Sequence, residues 1–361
     1  MKKVCFAALA LLITLMFAGC SGGTDVESKE PEAASSTTTV NFLNWGDYID
    51  PDVIPQFEEE NPDIKINMTT VDSNEAMYAI VSTEGSQINM MIPSEYMLQR
   101  MMEEDMLAEI DTSALENFKH VEDFTKTTCA YDPEGRYSLP YSWGTFGILY
   151  NDSMVEGEIT GWGDLFDEKY KGKVLMYDSM RDSLGVALLE LGYSLNSTDE
   201  AEINEAADLL IEQKPLVMAY GTDDLRMSMV NGSAALCVMY AGDAAYSMQD
   251  NEDLKYMIPQ NGANIFVDAM CVMSNTEGET YDKTLRFIDF MLSPEIAAKN
   301  AEYTGYSTPE DAALEYISQE MLDNYAFNPD KPDLENCEYY EHIDKGALKL
   351  YEEAWMRVKA G

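Results

Sequence analysis

From Val40 onward, apolar positions recur in two alternating periods. "VNFLNW" (40–45) reads as a strand ended by Gly46 and Asp47, and "PDVIPQFEEENP" (51–62) places Val53, Ile54 and Phe57 on one face of a short helix. "DIKINMTTV" (63–71) alternates with period two through Ile64, Ile66 and Met68. "SNEAMYAIVST" (73–83) then begins a helix with Ser73 as N-cap and Ala76, Met77, Ile80 and Val81 inward. "QINMMIPS" and "EYMLQRMMEEDML" repeat the unit. So does the second half: "KVLMYD" as strand, "SLGVALLELGY" and "EINEAADLLIEQ" as helices, "PLVMAY" as strand, "DDLRMSMVNG" as helix, "AALCVMY" as strand. Strands alternating with helices predict an α/β fold with mostly parallel sheets, and 361 residues in two such series predict two lobes.

The first residues stand outside this pattern. Lys2 and Lys3 precede an apolar run from Val4 to Phe17, then Ala18, Gly19 and Cys20. Such a run is too short to be a stable membrane span, and its charge and small-residue flanks are those of a signal peptide over 1–19. "FAGC" resembles a bacterial lipobox, which implies lipidation of Cys20. Residues 20–39 are small and polar, the composition of a flexible tether from membrane to domain. The protein is therefore expected outside the cytoplasm, lipid-anchored on the periplasmic side or outer face of the cell membrane.

Export gives the charge its meaning. The formal net charge is −43, and removal of Lys2 and Lys3 with the signal peptide takes it to −45. Such a surface excludes nucleic acid and anionic lipid headgroups as natural partners and favours a cationic ligand. Beyond Cys20, Cys129, Cys237, Cys271 and Cys337 form no CxxC pair, and Cys237 and Cys271 lie in apolar runs that predict buried thiols. His120 and His342 sit in no catalytic or metal-ligand spacing. No GxSxG, HExxH, phosphate loop or dinucleotide fingerprint occurs. No metal, cofactor or catalytic residue is expected, and the chain is not read as an enzyme.

In α/β folds, ligands bind beyond the carboxyl ends of strands. Aromatics and acids recur at those junctions here: Trp45-Gly46-Asp47-Tyr48, Pro93-Ser94-Glu95-Tyr96, the run Asp178 to Asp182, Tyr240, and Phe266 with Asp268 near the start of another strand. Each alone is an ordinary cap, core or surface residue; their repetition suggests a binding cleft. Carboxylates offset the desolvation of an alkylammonium group, and aromatic faces receive both the cation and its methylene stem. Sugar-binding sites use the same residue types, so sugar, amine and metal all stay open on this physics. An extracellular hydrolase with two acids is the remaining alternative.

Taken together, these stretches resemble the spermidine/putrescine-binding proteins of bacterial ABC transporters. The resemblance extends over 40–361 and rests on "FLNWGDYIDPDVIPQFEEENPDIKI", "MIPSEYMLQRMMEEDML", "SLPYSWGTFGILYN", "WGDLFDEKYKGKVLMYDSMRD", "FVDAM", "YTGYSTP" and "YEEAWMRVKAG". It implies a periplasmic-binding-protein-like clamshell of type II, each lobe a mixed, mostly parallel sheet flanked by helices. Residues 40–142 with 267–314 would form one lobe, and 143–266 with 315–361 the other. It further implies a monomer that holds a polyamine between the lobes and delivers it to permease subunits. Carried over by position, Trp45 and Tyr48 become aromatic walls and Asp47 replaces a frequent glutamate. Ser94, Glu95 and Tyr96 belong to a Pro-Ser-x-Tyr loop, Asp182 falls on an amine-binding acid, Asp178 or Ser179 on the neighbouring acid position, and Asp268 is the central acid. Tyr240 and Phe266 stand where tryptophans are frequent, Tyr306 in a Gly-Tyr-x-Thr-Pro loop, and Glu341 near an amide position. Trp143 reads as packing where the chain crosses between lobes. A carbohydrate-binding transport protein is the alternative.

Overall fold

The computed structural model describes residues 37–361 except Glu84 and Asp223. The expected signal peptide, Cys20 and nearly all of the tether lie outside the described residues. Nine strands are present among those described: β1 (Thr38–Trp45), β2 (Ile64–Val71), β3 (Met90–Met91), β4 (Ser138–Asn151), β5 (Val174–Tyr177), β6 (Val217–Gly221), β7 (Leu236–Tyr240), β8 (Leu254–Met257) and β9 (Asn264–Val272). They pair in the order β2-β1-β3-β9-β4-β7-β5-β6, with β8 also on β4. Each end of this order is a parallel wing, β2-β1-β3 and β7-β5-β6. The strands joining the wings run antiparallel: β9 pairs with β3 and β4, and β4 with β7 and β8. The mixed α/β fold expected from the alternation is therefore present, with the wings linked through β9 and β4 into one continuous path.

Side-chain alternation along the first wing sorts residues onto two faces. Phe42, Met90, Met270 and Val272 enter one core with Val53 and Phe57 of the helix Val53–Glu60 and Phe287 of the helix Gly278–Met291. Leu43, Met91, Ala269 and Cys271 enter another, with Met97, Leu98 and Met101 of the helix Glu95–Glu103. The second wing has its own core, from Phe146 to Ala263 and again from Ala297 to Val358. The cores separate between Tyr141 and Phe146 on β4 and between Ala263 and Ala269 on the way through β9. They separate a third time inside the helix Pro294–Thr304, where Ile296 faces one core and Ala297 the other.

Local departures from the sequence pattern have physical causes. β1 begins at Thr38, because Thr38 and Thr39 pair with Ile64 and Lys65, so the last residues assigned to the tether belong to the sheet. In the helix Asn74–Val81, Ser73 caps as expected by accepting from the Ala76 N–H at 3.1 Å. Ile80, however, is exposed, and Asn74 is buried in its stead. Asn74 is held inward by reciprocal bonds with Ser94, its Nδ2 donating to Oγ and its Oδ1 accepting from the backbone N–H, both at 3.0 Å. Asp268 sits mid-strand rather than near a strand's start. Cys129, Cys237 and Cys271 are buried free thiols and Cys337 is a half-buried one. Among the described residues no helix is long and apolar enough to cross a membrane.

Candidate functional site

Two carboxylates organise the site. Asp268 lies on β9, opposite Ser142 of β4 and in an isolated antiparallel bridge with Ser94. The β4–β9 register shifts between Pro140 and Ser142, leaving Tyr141 as the extra residue. Proline cannot donate to the ladder, so an irregularity there is expected, and it bends the strand beside the acid. Tyr141 uses its freedom to donate from its hydroxyl to the Tyr48 carbonyl at 2.6 Å. Tyr48 in turn donates its hydroxyl to Asp268 Oδ2 at 2.6 Å. Among the described residues no donor meets Asp268 Oδ1 in hydrogen-bond geometry, although Asp268 is only 5% exposed. Burial pushes its carboxyl up from 3.8 to about 6, against the opposing pull of the Tyr48 and Ser94 hydroxyls.

Asp182 stands in the first turn of the helix Met180–Glu190, whose N-cap is Ser179. It is 6% exposed, and its Oδ1 accepts from the Tyr240 hydroxyl at 3.0 Å and the Tyr340 hydroxyl at 3.2 Å. Burial raises its carboxyl above the ordinary range, while the Ser179, Tyr240 and Tyr340 hydroxyls and the charge of Arg181 hold it down. The Arg181 guanidinium lies 4.4 Å over the Tyr340 ring and 5.2 Å over the Tyr351 ring.

A series of ring contacts joins the two acids. Trp45 touches Tyr48 edge-on (centroids 6.5 Å apart), Tyr48 touches Tyr306 (5.7 Å), Tyr306 touches Phe266 (5.6 Å), and Phe266 touches Tyr240 (5.5 Å). Tyr240 continues to Phe146 (4.7 Å) and Tyr177 (5.4 Å). Edge-to-face geometry turns ring faces in differing directions, so this wall offers π faces to cations and area to methylenes. Two glycines leave room for it. A Cβ at Gly242 would stand 2.6 Å from the Tyr306 ring, and one at Gly144 3.0 Å from the Phe266 ring.

The opening loop is built for the same end. β1 terminates at Trp45, whose indole N–H donates to the Ile92 carbonyl at 2.8 Å. Asp47 then takes a left-handed φ of +43°, which aspartate tolerates better than most residues. That turn leaves Gly46 and Asp47 exposed while Trp45 and Tyr48 both enter the interior. On the neighbouring loop, Glu95 is 1% exposed, and its Oε2 accepts from the Val267 N–H at 3.0 Å. Tyr96 donates to Glu75 Oε1 at 3.2 Å and meets the Tyr340 ring edge-on at 6.5 Å.

The site thus brings together Trp45, Tyr48, Ser94, Glu95, Tyr96, Asp182, Tyr240, Phe266, Asp268 and Tyr306. Three expected residues stand apart. Asp47 is exposed at the turn. Asp178 is ion-paired with Lys359 Nζ at 2.6 Å, which directs it to the C-terminal helix. The Glu341 side chain is exposed, and its backbone N–H donates to Asn196 Oδ1 at 2.9 Å. Sequence reasoning missed its neighbour Tyr340, together with Tyr141, Tyr177 and Asn74. The pair Tyr339-Tyr340 beside Glu341 was the available signal. Trp143, expected as packing, donates from its indole to the Thr308 carbonyl at 3.0 Å and contacts Phe124. No group of three or more His, Cys, Asp or Glu among the described residues could hold a metal ion.

The family profile described as a bacterial extracellular solute-binding protein matches residues 52–329. The chain belongs to that family. Similar relatives of this solute-binding protein sharpen the comparison. It is 32% identical over 330 residues to the spermidine/putrescine-binding periplasmic protein of Escherichia coli, covering 91% of this chain and 93% of that one. Among solved structures it is similar to the spermidine/putrescine ABC transporter substrate-binding protein of Streptococcus pneumoniae, with 36% identity and a TM-score of 0.78 over 90% of this chain and 99% of that one. It is also similar to the Tp0655 (TpPotD) lipoprotein of Treponema pallidum, with 25% identity and a TM-score of 0.80 over 89% and 99% of the two chains. The resemblance read from the sequence motifs is borne out, as is the extracytoplasmic solute-binding class.

Proposed function

We propose that this solute-binding protein captures a linear polyamine, putrescine or spermidine, and hands it to an ABC permease. The observation that carries the reading is the pair of buried carboxylates, Asp268 and Asp182, each capped by tyrosine hydroxyls and joined by a wall of rings. One ammonium group docks at Asp268, the other at Asp182, and the methylenes lie along Tyr48, Tyr306, Phe266 and Tyr240. A neutral sugar brings no charge to offset the two buried carboxyls, which disfavours the carbohydrate reading. The relatives named for spermidine and putrescine support the same assignment.

The separate cores of the two wings support a clamshell, residues 40–142 with the chain from 267 against 143–266 with the C-terminal residues, the last crossing falling within the helix Pro294–Thr304, that closes on the ligand because the full contact set exists only when closed. Small-angle scattering with and without spermidine checks closure; an unchanged radius of gyration removes it. Anchoring through Cys20 would keep delivery local to the membrane, and the similar Treponema pallidum protein is a lipoprotein. The deciding experiment is a thermal-shift panel of putrescine, cadaverine, spermidine, spermine and maltose. At ~100 times its Kd, a ligand adds ~2.7 kcal/mol of stability. A shift with maltose and none with any amine overturns the proposal.

A further inference from the structure

Glu95 is a deeply buried acid beside Asp268. It occupies the first position of the helix Glu95–Glu103, immediately after Ser94, and is 1% exposed. Its Oε2 accepts from the Val267 backbone N–H at 3.0 Å, while its Oε1 is buried with no donor in hydrogen-bond geometry among the described residues. The bridge between Ser94 and Asp268 sets the two acids on adjacent, opposed backbone: Ser94 faces Asp268, and the next residue, Glu95, grips the residue before Asp268. Two carboxyls of one site thus each carry an unsatisfied, buried oxygen, Glu95 Oε1 and Asp268 Oδ1. Both acceptors call for N–H donors, and a protonated alkyl amine carries two or three of them on one nitrogen.

The surroundings decide what Glu95 does without such a donor. Facing it are Asp268 from β9, Tyr339 and the backbone of Tyr340 from the segment before the C-terminal helix, and Cys129 and Tyr131 from the turn after the helix Glu122–Thr128. At neutral pH, Asp268 alone among these groups carries charge, and it repels a second anion. Burial is the larger influence: together with Asp268 it pushes the Glu95 carboxyl from 4.5 up to about 8, against the backbone amides of Val267, Glu95 and Tyr340. Part of this burial comes from the first wing itself. The helix that begins at Glu95 packs Met97, Leu98 and Met101 into one core with Ala269 and Cys271 of β9.

We propose that Glu95 is a proton-exchanging member of the ligand site, holding a proton while the site is free and releasing it to solvent when an ammonium group docks between Glu95 and Asp268. The proposal rests on the amine-binding reading above. The balance is simple: a neutral carboxylic acid and an ammonium ion become a carboxylate–ammonium pair and one proton in solution, with no covalent bond made or broken. Uptake is then coupled to pH in the window where Glu95 is protonated in the free protein. Rising pH favours the docked pair until the free protein has itself lost the proton.

Calorimetric titration with putrescine and with spermidine at pH 7, in phosphate, imidazole and Tris buffers, counts the protons through the buffer dependence of the heat. A carboxyl titrating at about 8 is about 90% protonated at pH 7, and one at about 6 is about 10% protonated. The wild-type protein is therefore expected to release about one proton per polyamine. Glu95→Gln keeps an oxygen for the Val267 N–H, so its fold should survive, and its release should fall to about a tenth of a proton. Buffer-independent heats in the wild type overturn the proposal without need of the variant, as does a variant that releases as much as the wild type. In both cases amine binding itself stands. Absence of any heat or thermal shift with either amine overturns the amine-binding reading, and this proposal with it.

Discussion

Replacing Asp268 by asparagine should make the free protein more stable and the ligand-binding protein worse, two changes of opposite benefit from one atom. The carboxyl titrates at about 6 in the folded chain against an ordinary 3.8. The folded state therefore binds more protons than the unfolded one between those values, so stability falls as pH rises through this window, and the whole penalty is present above it. The gap corresponds to about 3 kcal/mol of stability withheld at neutral pH. Asparagine carries no charge to desolvate and can still accept from the Tyr48 hydroxyl, now through a neutral bond worth about 1 kcal/mol less. The expected net gain at pH 7.5 is about 1–2 kcal/mol, disappearing towards pH 4, where the wild-type acid is itself protonated.

Binding should move the other way. A desolvated ammonium group that loses its carboxylate partner costs about 2–5 kcal/mol, a fall in affinity of about thirtyfold to several thousandfold. Urea denaturation of the free protein from pH 4 to 7.5, beside calorimetry with spermidine, reads both effects. A variant that is less stable than the wild type at pH 7.5, or one that binds spermidine as tightly, would refute the assignment of Asp268 as a buried acid kept for a cation.

Tyr340→Phe removes one of the two hydroxyls on Asp182 Oδ1 and should weaken polyamine binding by about 1 kcal/mol, roughly fivefold, by calorimetry; an unchanged affinity places Tyr340 outside the site. Cys20→Ser should shift the protein from the membrane fraction to the soluble extracytoplasmic fraction on cell fractionation, whereas retention in the membrane would remove lipid anchoring at that residue.

What could be read from the chain followed the range of the interactions concerned. β1 and its turn were legible because an apolar run ended by Gly46 and Asp47 is a local signal, and the structure places Trp45 and Tyr48 together there. The helix Asn74–Val81 was legible in type and cap but not in its face. Periodicity alone put Ile80 inward, and the bonds between Asn74 and Ser94, 20 residues apart, set the inward face instead. The antiparallel pairing of β4 with β9 joins segments more than a hundred residues apart, and no local pattern announces it. Asp178 and Tyr340 show the same limit at the site. The ion pair that occupies Asp178 comes from Lys359, 181 residues on, and the hydroxyl that reaches Asp182 comes from Tyr340, 158 residues on.

That contrast between Asp178 and the two central acids bears on why tyrosine dominates this wall. A lysine beside a carboxylate neutralises it and leaves little for a ligand ammonium to gain, which is the state of Asp178 beside Lys359. A tyrosine hydroxyl instead supplies a hydrogen bond without supplying charge. Asp268 and Asp182 are thus kept from being wholly unsatisfied by Tyr48, Tyr240 and Tyr340 while retaining a net negative charge for an incoming cation. The same rings then present their faces to the ligand's methylenes and ammonium groups. Buried acids capped mainly by hydroxyls are costly in the free protein, and that cost is what a bound polyamine removes. The stability withheld at Asp268 is accordingly part of the affinity, and any substitution that recovers it should do so at the expense of binding.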